Sequence, residues 1–324
     1  MKYILRIENL KRYFSTKYGI VKAVDGISFN VEYKEVFGLI GESGSGKSTT
    51  GHVIVGLYPP TSGKVYFEGN DISMPASKRP KNVRREIQIV FQDPASSLNP
   101  ASPIRDIIMR PLLAHGIMPR KECEAFVEEL LGKVGLPPEI YAHRKPRELG
   151  GGELQLVSIA RAIATKPKLV ILDEPTSALD VITQAKIIKL LTRLKNELGL
   201  TYIFITHDLG LVKNFASRVA VMYLGKIVEM APTDTLFAEP LHPYTLMLLS
   251  SAPVVYREDR DVIPRRVKPV GEVPSAISPP PGCRFHTRCP YVTEQCKSVE
   301  PGLVSVDNND NEGHLVACHM FSRS

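Results

Sequence analysis

One octapeptide limits this chain more than any other feature: Gly41-Glu42-Ser43-Gly44-Ser45-Gly46-Lys47-Ser48. It follows the apolar run Val36-Phe37-Gly38-Leu39-Ile40 and precedes Thr49 to Leu57, a stretch that can open as a helix. Strand, glycine-rich turn and helix in that order satisfy G-x-x-x-x-G-K-[ST] in full. The glycines let successive backbone N–H groups curl around phosphate oxygens while a helix N-terminus faces the same anion. In such a loop Lys47 reaches the β- and γ-phosphates of a nucleotide, Ser48 ligates Mg²⁺, and Thr49 completes the first turn of the helix. A plain tight turn explains two glycines; it does not explain Lys47-Ser48 behind a buried-looking strand.

At 324 residues the chain has room for a large domain with an appendage, or for two domains. No apolar run approaches the roughly 20 residues of a membrane-spanning helix, and Met1-Lys2-Tyr3-Ile4 lacks the build of a signal peptide, so the expectation is a cytoplasmic chain held at any membrane by a partner. The net charge of +7 suits anionic partners, but Lys and Arg are dispersed among acids, which reads as a solvated surface and not as a nucleic-acid face.

Ile4 to Leu10 and Gly26 to Val31 read as short strands, with Lys11 to Lys22 a polar connection between them. After the phosphate loop, turn residues Pro59 to Gly63 precede an alternating strand, Lys64-Val65-Tyr66-Phe67, and another strand follows from Ile87 to Phe91. Between about 104 and 164 the period changes: Ile107, Ile108, Leu112 and Leu113, then Ala125, Val127, Leu130, Leu131 and Val134, recur at helical spacing. This predicts a helical insert, bounded at about 93–165. Leu169-Val170-Ile171-Leu172, a helix from Val181 to Leu198 and the strand Tyr202 to Thr206 resume an alternation of strands and helices, the pattern of a mostly parallel α/β sheet. The fold class is therefore α/β, with an antiparallel ribbon beside the parallel core and a helical subdomain. From Pro232 onward prolines crowd the chain, with Pro279-Pro280-Pro281 in a row, predicting a loop-rich extension organised by something other than a large apolar core.

The strand Leu169 to Leu172 runs into Asp173-Glu174, the arrangement in which one carboxylate holds Mg²⁺ and the next polarises an attacking water. With Leu149-Gly150-Gly151-Gly152-Glu153, Gln92 in Phe91-Gln92-Asp93-Pro94, Ser177-Ala178-Leu179-Asp180 and His207 after Ile205-Thr206, the set resembles the ATP-binding-cassette (ABC) ATPases over about residues 4 to 235. The resemblance implies Asp173 and Ser48 at Mg²⁺, Glu174 as general base, and Gln92 as a lever touching both the metal and the helical insert. It also implies His207 as a γ-phosphate sensor and Asp180 as a connector across a dimer. Phe14, or Tyr13 beside it, would stack on adenine, and Val24 would add an apolar contact.

Residues 149–153 depart from the family's Leu-Ser-Gly-Gly-Gln/Glu, with Gly150 standing where serine is usual. In the family this segment covers the ATP held by the opposite subunit. A lost hydroxyl hydrogen bond to a charged group is worth about 1.5 to 3 kcal/mol in general, so the ATP site completed by this signature is expected to turn over more slowly.

Cys283, Cys289, Cys296 and Cys318 share the extension with the spacing C-x₅-C-x₆-C-x₂₁-C, while Cys123 lies alone in a helical stretch and reads as packing. Four thiols in a reducing compartment favour a metal or cluster over disulfides, and the lack of a C-x₂-C pair leans towards a cluster over zinc. His242-Pro243-Tyr244-Thr245, Gly271-Glu272-Val273-Pro274 and Pro281 to Pro290 resemble the C-terminal extension, here 236–324, of oligopeptide and dipeptide importer ATPases. That resemblance implies a structural [4Fe–4S] cluster on the four cysteines, with Zn²⁺ as the alternative. It further implies a second, different ATPase subunit, two transmembrane permease subunits, an extracytoplasmic solute-binding protein and a place on the cytoplasmic face of the membrane. A soluble cassette ATPase acting on ribosomes or DNA is the competing reading. It would ordinarily carry two cassettes or a long coiled coil, and this sequence has neither.

Overall fold

The computed structural model describes residues 2–251, 271–306 and 313–321. The chain forms two compact units.

The first unit holds the described residues of Met1–Glu32, Val36–Pro75 and Phe204–Ser324. It opens on a long antiparallel hairpin, Tyr3–Thr16 paired with Gly19–Glu32. The polar segment read as a connection is instead the outer half of that hairpin, with Tyr13 opposite Lys22 and Phe14 opposite Val21. Main-chain hydrogen bonds build a ladder whatever the side chains, and register shifts near Leu10 and Arg12 twist this half into a two-sided, partly exposed ribbon that lacks an alternating signature. Ser62–Phe67 and Asn70–Asp71 complete the antiparallel sheet.

In the same unit Val36–Ile40 is buried along its whole length and pairs in parallel with Arg218–Tyr223, which pairs in turn with Lys226–Pro232. The C-terminal extension joins this sheet: Leu315–Val316 pairs with Glu229 and Met230, and Val304–Ser305 pairs with Leu315–Val316. Among the described residues of the extension, main-chain bonds such as Lys22 N–H to the Ala276 oxygen (3.1 Å) are joined by side-chain contacts. Tyr223, Tyr244 and Phe285 form an aromatic cluster with centroids 4.6 to 5.4 Å apart. The fully buried Glu229 carboxylate accepts the Leu241 and His242 amides and faces His314 Nε2 at 2.5 Å. Packed rings and a buried carboxylate with three polar partners thus help to organise the extension.

The second unit comprises Tyr33–Glu35 and Ala76–Ile203. Ile87–Val90 and Leu169–Asp173 form a parallel pair. The helices Ile104–His115, Arg120–Val134 and Gly151–Ile163 realise the predicted insert and bury Ile107, Ile108, Leu112, Val127, Leu130, Leu131 and Val134, with Cys123 packed among them. Leu113 and Ala125, expected on the buried stripe, are exposed. The 18-residue helix Val181–Leu198 follows Asp180.

Candidate active site

The buried strand Val36–Ile40 delivers Gly41 at φ +148°, where a Cβ would lie 2.2 Å from the Met222 carbonyl oxygen. Gly46, at φ +106°, caps the helix Lys47–Val55, and a Cβ there would lie 2.2 Å from the Ala23 oxygen. Only glycine fits either position. Lys47 is 5% exposed, and its Nζ donates to the Gly41 oxygen (2.8 Å), the Glu42 oxygen (2.9 Å) and Ser45 Oγ (3.4 Å). The ammonium is therefore held back over the loop that precedes it, at the electropositive end of a helix. Ser45 is buried, Ser48 and Thr49 are half-buried, and Ser43 and Gly44 are exposed.

Glu42 brings in residues that reading the sequence missed. Its N–H donates to Tyr244 Oη (2.8 Å), and its carboxylate accepts two N–H bonds from Arg288, at 2.9 and 3.3 Å. These partners are separated by more than 200 positions in sequence, and nothing local announces the pairing.

Of the two aromatic candidates, Tyr13 donates its hydroxyl to Asp25, whose carboxylate is also paired with Arg284. Burial and this acceptor push the Tyr13 phenol up to about 12. Burial by itself would raise Asp25, but Tyr13, Lys226 and Arg284 outweigh it and hold the carboxyl below its usual value. Phe14 is half-buried, edge-on to Tyr58 at 5.2 Å, with the Arg12 guanidinium 4.4 Å above its ring. Val24, expected to add an apolar contact, is buried in the hairpin strand Gly19–Glu32 opposite Arg12. His207 is exposed at the end of Thr201–Ile205, and Asp208 caps the helix Leu209–Phe215 through the Leu211 N–H (3.1 Å).

In the second unit the five buried residues Leu169–Asp173 lead to Glu174, whose φ of +45° is unusual for a side-chain-bearing residue. Strained backbone of this kind clusters at functional positions. Gln92 Nε2 donates to Glu174 Oε2 (3.1 Å), bringing together two of the expected site residues, and Asp173 is buried beside them in sequence. Asp180 is the N-cap of Val181–Leu198, accepting from Thr183 N (3.0 Å) and Thr183 Oγ1 (2.7 Å), bonds that hold its carboxyl below the usual range.

Leu149 is half-buried, and Gly150, at φ −74°, is the N-cap of the helix Gly151–Ile163. Glu153 closes the cap: its Oε2 accepts the Gly150 N–H (2.8 Å), and its Oε1 accepts the Tyr141 hydroxyl (2.5 Å). A Cβ on Gly150 would meet only Glu153 Oε2, at 3.8 Å. Serine would fit at position 150.

Residues 24–177 match the ABC transporter family, and residues 228–296 match the C-terminal region of oligopeptide/dipeptide transporters. The oligopeptide transport ATP-binding protein AppF of Bacillus subtilis (strain 168) is 46% identical over 98% of this chain and 98% of its own. The chain belongs to the ABC transporter ATP-binding subunits of the oligopeptide/dipeptide importer family. The dipeptide transport ATP-binding protein DppF of Escherichia coli (strain K12) is 40% identical over 97% of this chain and 93% of its own. The solved dimer of the ATP-binding cassette MJ0796 bound to ADP and Pi superposes with a TM-score of 0.63 at 30% identity, covering 71% of this chain and 98% of that one. This ABC subunit is accordingly an ATPase, and a role on ribosomes or DNA is not favoured by relatives that are transport proteins along their whole length.

In this ABC subunit Cys283, Cys289, Cys296 and Cys318 all line one cavity of about 140 Å³ in the extension. The expected metal or cluster site is nonetheless not preassembled: among the described residues no three His, Cys, Asp or Glu side chains are positioned to hold a metal ion. Burial raises Cys283 to about 11 and raises Cys289 and Cys318 as well, with neighbouring thiols adding to the effect. The four thiols share this cavity without the arrangement of a metal or cluster site.

Proposed function

We propose that this chain powers uptake of peptides or a related solute by binding ATP at residues 41–49 and hydrolysing it against the signature residues 149–153 of a second ATPase subunit, which is a different chain. The observation that carries this reading is the signature itself: exposed glycines at a capped helix N-terminus, with no crowding at Gly150 or Gly151 from their own chain to require them. Such a bare end suits an anion brought by another molecule.

In this reading residues 1–235 carry the nucleotide chemistry and 236–324 brace it. Phe14 supplies the adenine face, Lys47 and the amides of 43–48 hold the phosphates, and Ser48, Gln92 and Asp173 offer the oxygen ligands that suit Mg²⁺. Bound there, the cation would neutralise charge on the phosphoryl oxygens. Glu174, oriented by Gln92, accepts the proton of the attacking water, and His207 meets the γ-phosphate. Asp180 faces the partner ATPase. Cys283, Cys289, Cys296 and Cys318 would be the thiolate ligands of a structural [4Fe–4S] cluster, with Zn²⁺ as the alternative. Two transmembrane permease subunits receive the motion at the cytoplasmic face of the membrane, and an extracytoplasmic binding protein delivers the solute.

Glu174→Gln should keep ATP binding while lowering turnover by about 10²- to 10⁴-fold, the usual worth of a general base. Turnover within a factor of about two of wild type would remove Glu174 from that role. Copurification with a second ATPase and two membrane proteins tests the assembly, and iron and sulfide content with an absorption spectrum tests the cluster.

A further inference from the structure

We propose that Arg288 and Tyr244, both in the C-terminal extension, are positioning residues for the phosphate loop and act through Glu42. All three polar groups of Glu42 are engaged: the carboxylate by Arg288 (2.9 and 3.3 Å), the N–H by Tyr244 Oη (2.8 Å) and the carbonyl oxygen by Lys47 Nζ (2.9 Å). One of the three acceptors that hold the phosphate-seeking lysine is thus itself fastened by the extension.

The arrangement answers an electrostatic problem. Glu42 places a carboxylate on a loop whose amides and lysine are directed at phosphate, and like charges at short range repel most where water is scarce. Arg288 neutralises that carboxylate with a two-pronged grip, the geometry in which guanidinium binds carboxylate best. The grip is preorganised. Arg288 has a side chain only 5% exposed, its guanidinium lies 5.9 Å from the Tyr223 ring centroid and 5.8 Å from that of Phe285, and Tyr244 in the same aromatic cluster is fully buried. Tyr244 takes the Glu42 amide, so the first turn of the loop is fixed before any nucleotide arrives.

The inference rests on the reading of residues 41–49 as the ATP site. Equilibrium binding of a fluorescent ATP analogue with Mg²⁺ to the purified full chain tests both. Arg288→Gln should weaken binding about tenfold, equivalent to 1.4 kcal/mol, and the loss should grow at low salt. The same substitution made in a Glu42→Gln background should cost less than about twofold, since no carboxylate then needs neutralising. Arg288→Lys, which keeps the charge but not the two-pronged grip, should recover only part of the affinity. Equal losses in the two backgrounds would make Arg288 a structural residue only and overturn the proposal, as would an Arg288→Gln chain that binds like wild type. Should Arg288→Gln fail to fold, Tyr244→Phe, which removes only the hydroxyl, must still weaken binding by about threefold, as expected for one lost hydrogen bond; unchanged binding overturns the proposal. A wild-type chain whose binding is indifferent to Lys47→Ala would instead overturn the ATP-site reading, and this inference with it.

Discussion

At Gly46 a methyl group would meet the Ala23 carbonyl oxygen at 2.2 Å, on a backbone turned to φ +106°. At Gly150 it would meet nothing nearer than Glu153 Oε2 at 3.8 Å, on a backbone at φ −74°, and at Gly151 only Leu179 Cδ2 at 3.6 Å. Both stretches are glycine-rich and both lead into a helix N-terminus, but the phosphate loop needs its glycines to fold, whereas Gly150 and Gly151 have no such need inside their own chain. That difference is what the proposed role of the signature at a partner's nucleotide would require. The two loops also hold a glutamate differently. Glu42 is gripped by residues of the distant extension, while Glu153 is gripped by its own cap and by Tyr141, 12 positions away.

The sharpest way to break this contrast is to add the same methyl group to each loop. Gly46→Ala should destabilise the chain by about 3 kcal/mol or more, from a left-handed backbone plus a backbone clash, and should abolish ATP binding. Gly151→Ala should leave thermal stability unchanged or slightly raised, since alanine favours a helix over glycine, and should leave ATP affinity of the isolated chain intact. It should nonetheless reduce turnover in the assembled transporter. Thermal melts and binding isotherms of the two variants decide the matter; similar destabilisation in both would erase the distinction.

The same contrast governs what could be read before the structure. The phosphate loop, the run into Asp173-Glu174 and the helical insert were legible because each is a local pattern: a strand, a breaker and a chemical group within a few residues. The outer half of the first hairpin was not, because Lys11 to Lys22 is held by cross-strand bonds indifferent to side-chain type. Arg288 and Tyr244 were hidden for a related reason. A pair of charges becomes visible only when the fold brings its two ends together, and the motif Pro281 to Pro290 that contains Arg288 carries no local sign of Glu42.

A smaller effect is expected from Gly150→Ser. The position tolerates the side chain, so folding should be unaffected, and the added hydroxyl can donate to the nucleotide held by the partner subunit. A gain of about tenfold or somewhat more in turnover at the site completed by this signature is expected, the low end of what one hydrogen bond to a charged group is worth. Turnover measured per site in the assembled pair checks it; no change would mean that the backbone amides suffice.

The finest test concerns the glutamate of the second loop. The Tyr141 hydroxyl, followed by the Gly150 N–H, holds the Glu153 carboxyl below its usual value. A carboxyl depressed in the folded state contributes stability that is complete above its unfolded pKa and is lost as pH falls through the folded one. Removing the hydroxyl by Tyr141→Phe takes away the larger of the two donors, so the Glu153 titration should move up towards the ordinary carboxylate range, and the cap on Gly151–Ile163 should loosen at a less acidic pH. Carboxyl chemical shifts followed through an acid titration measure this directly. Because the Gly150 amide still donates in the variant, the shift should be partial: a titration unmoved by the substitution would assign the whole effect to the backbone cap, and the signature would then be self-contained where the phosphate loop is not.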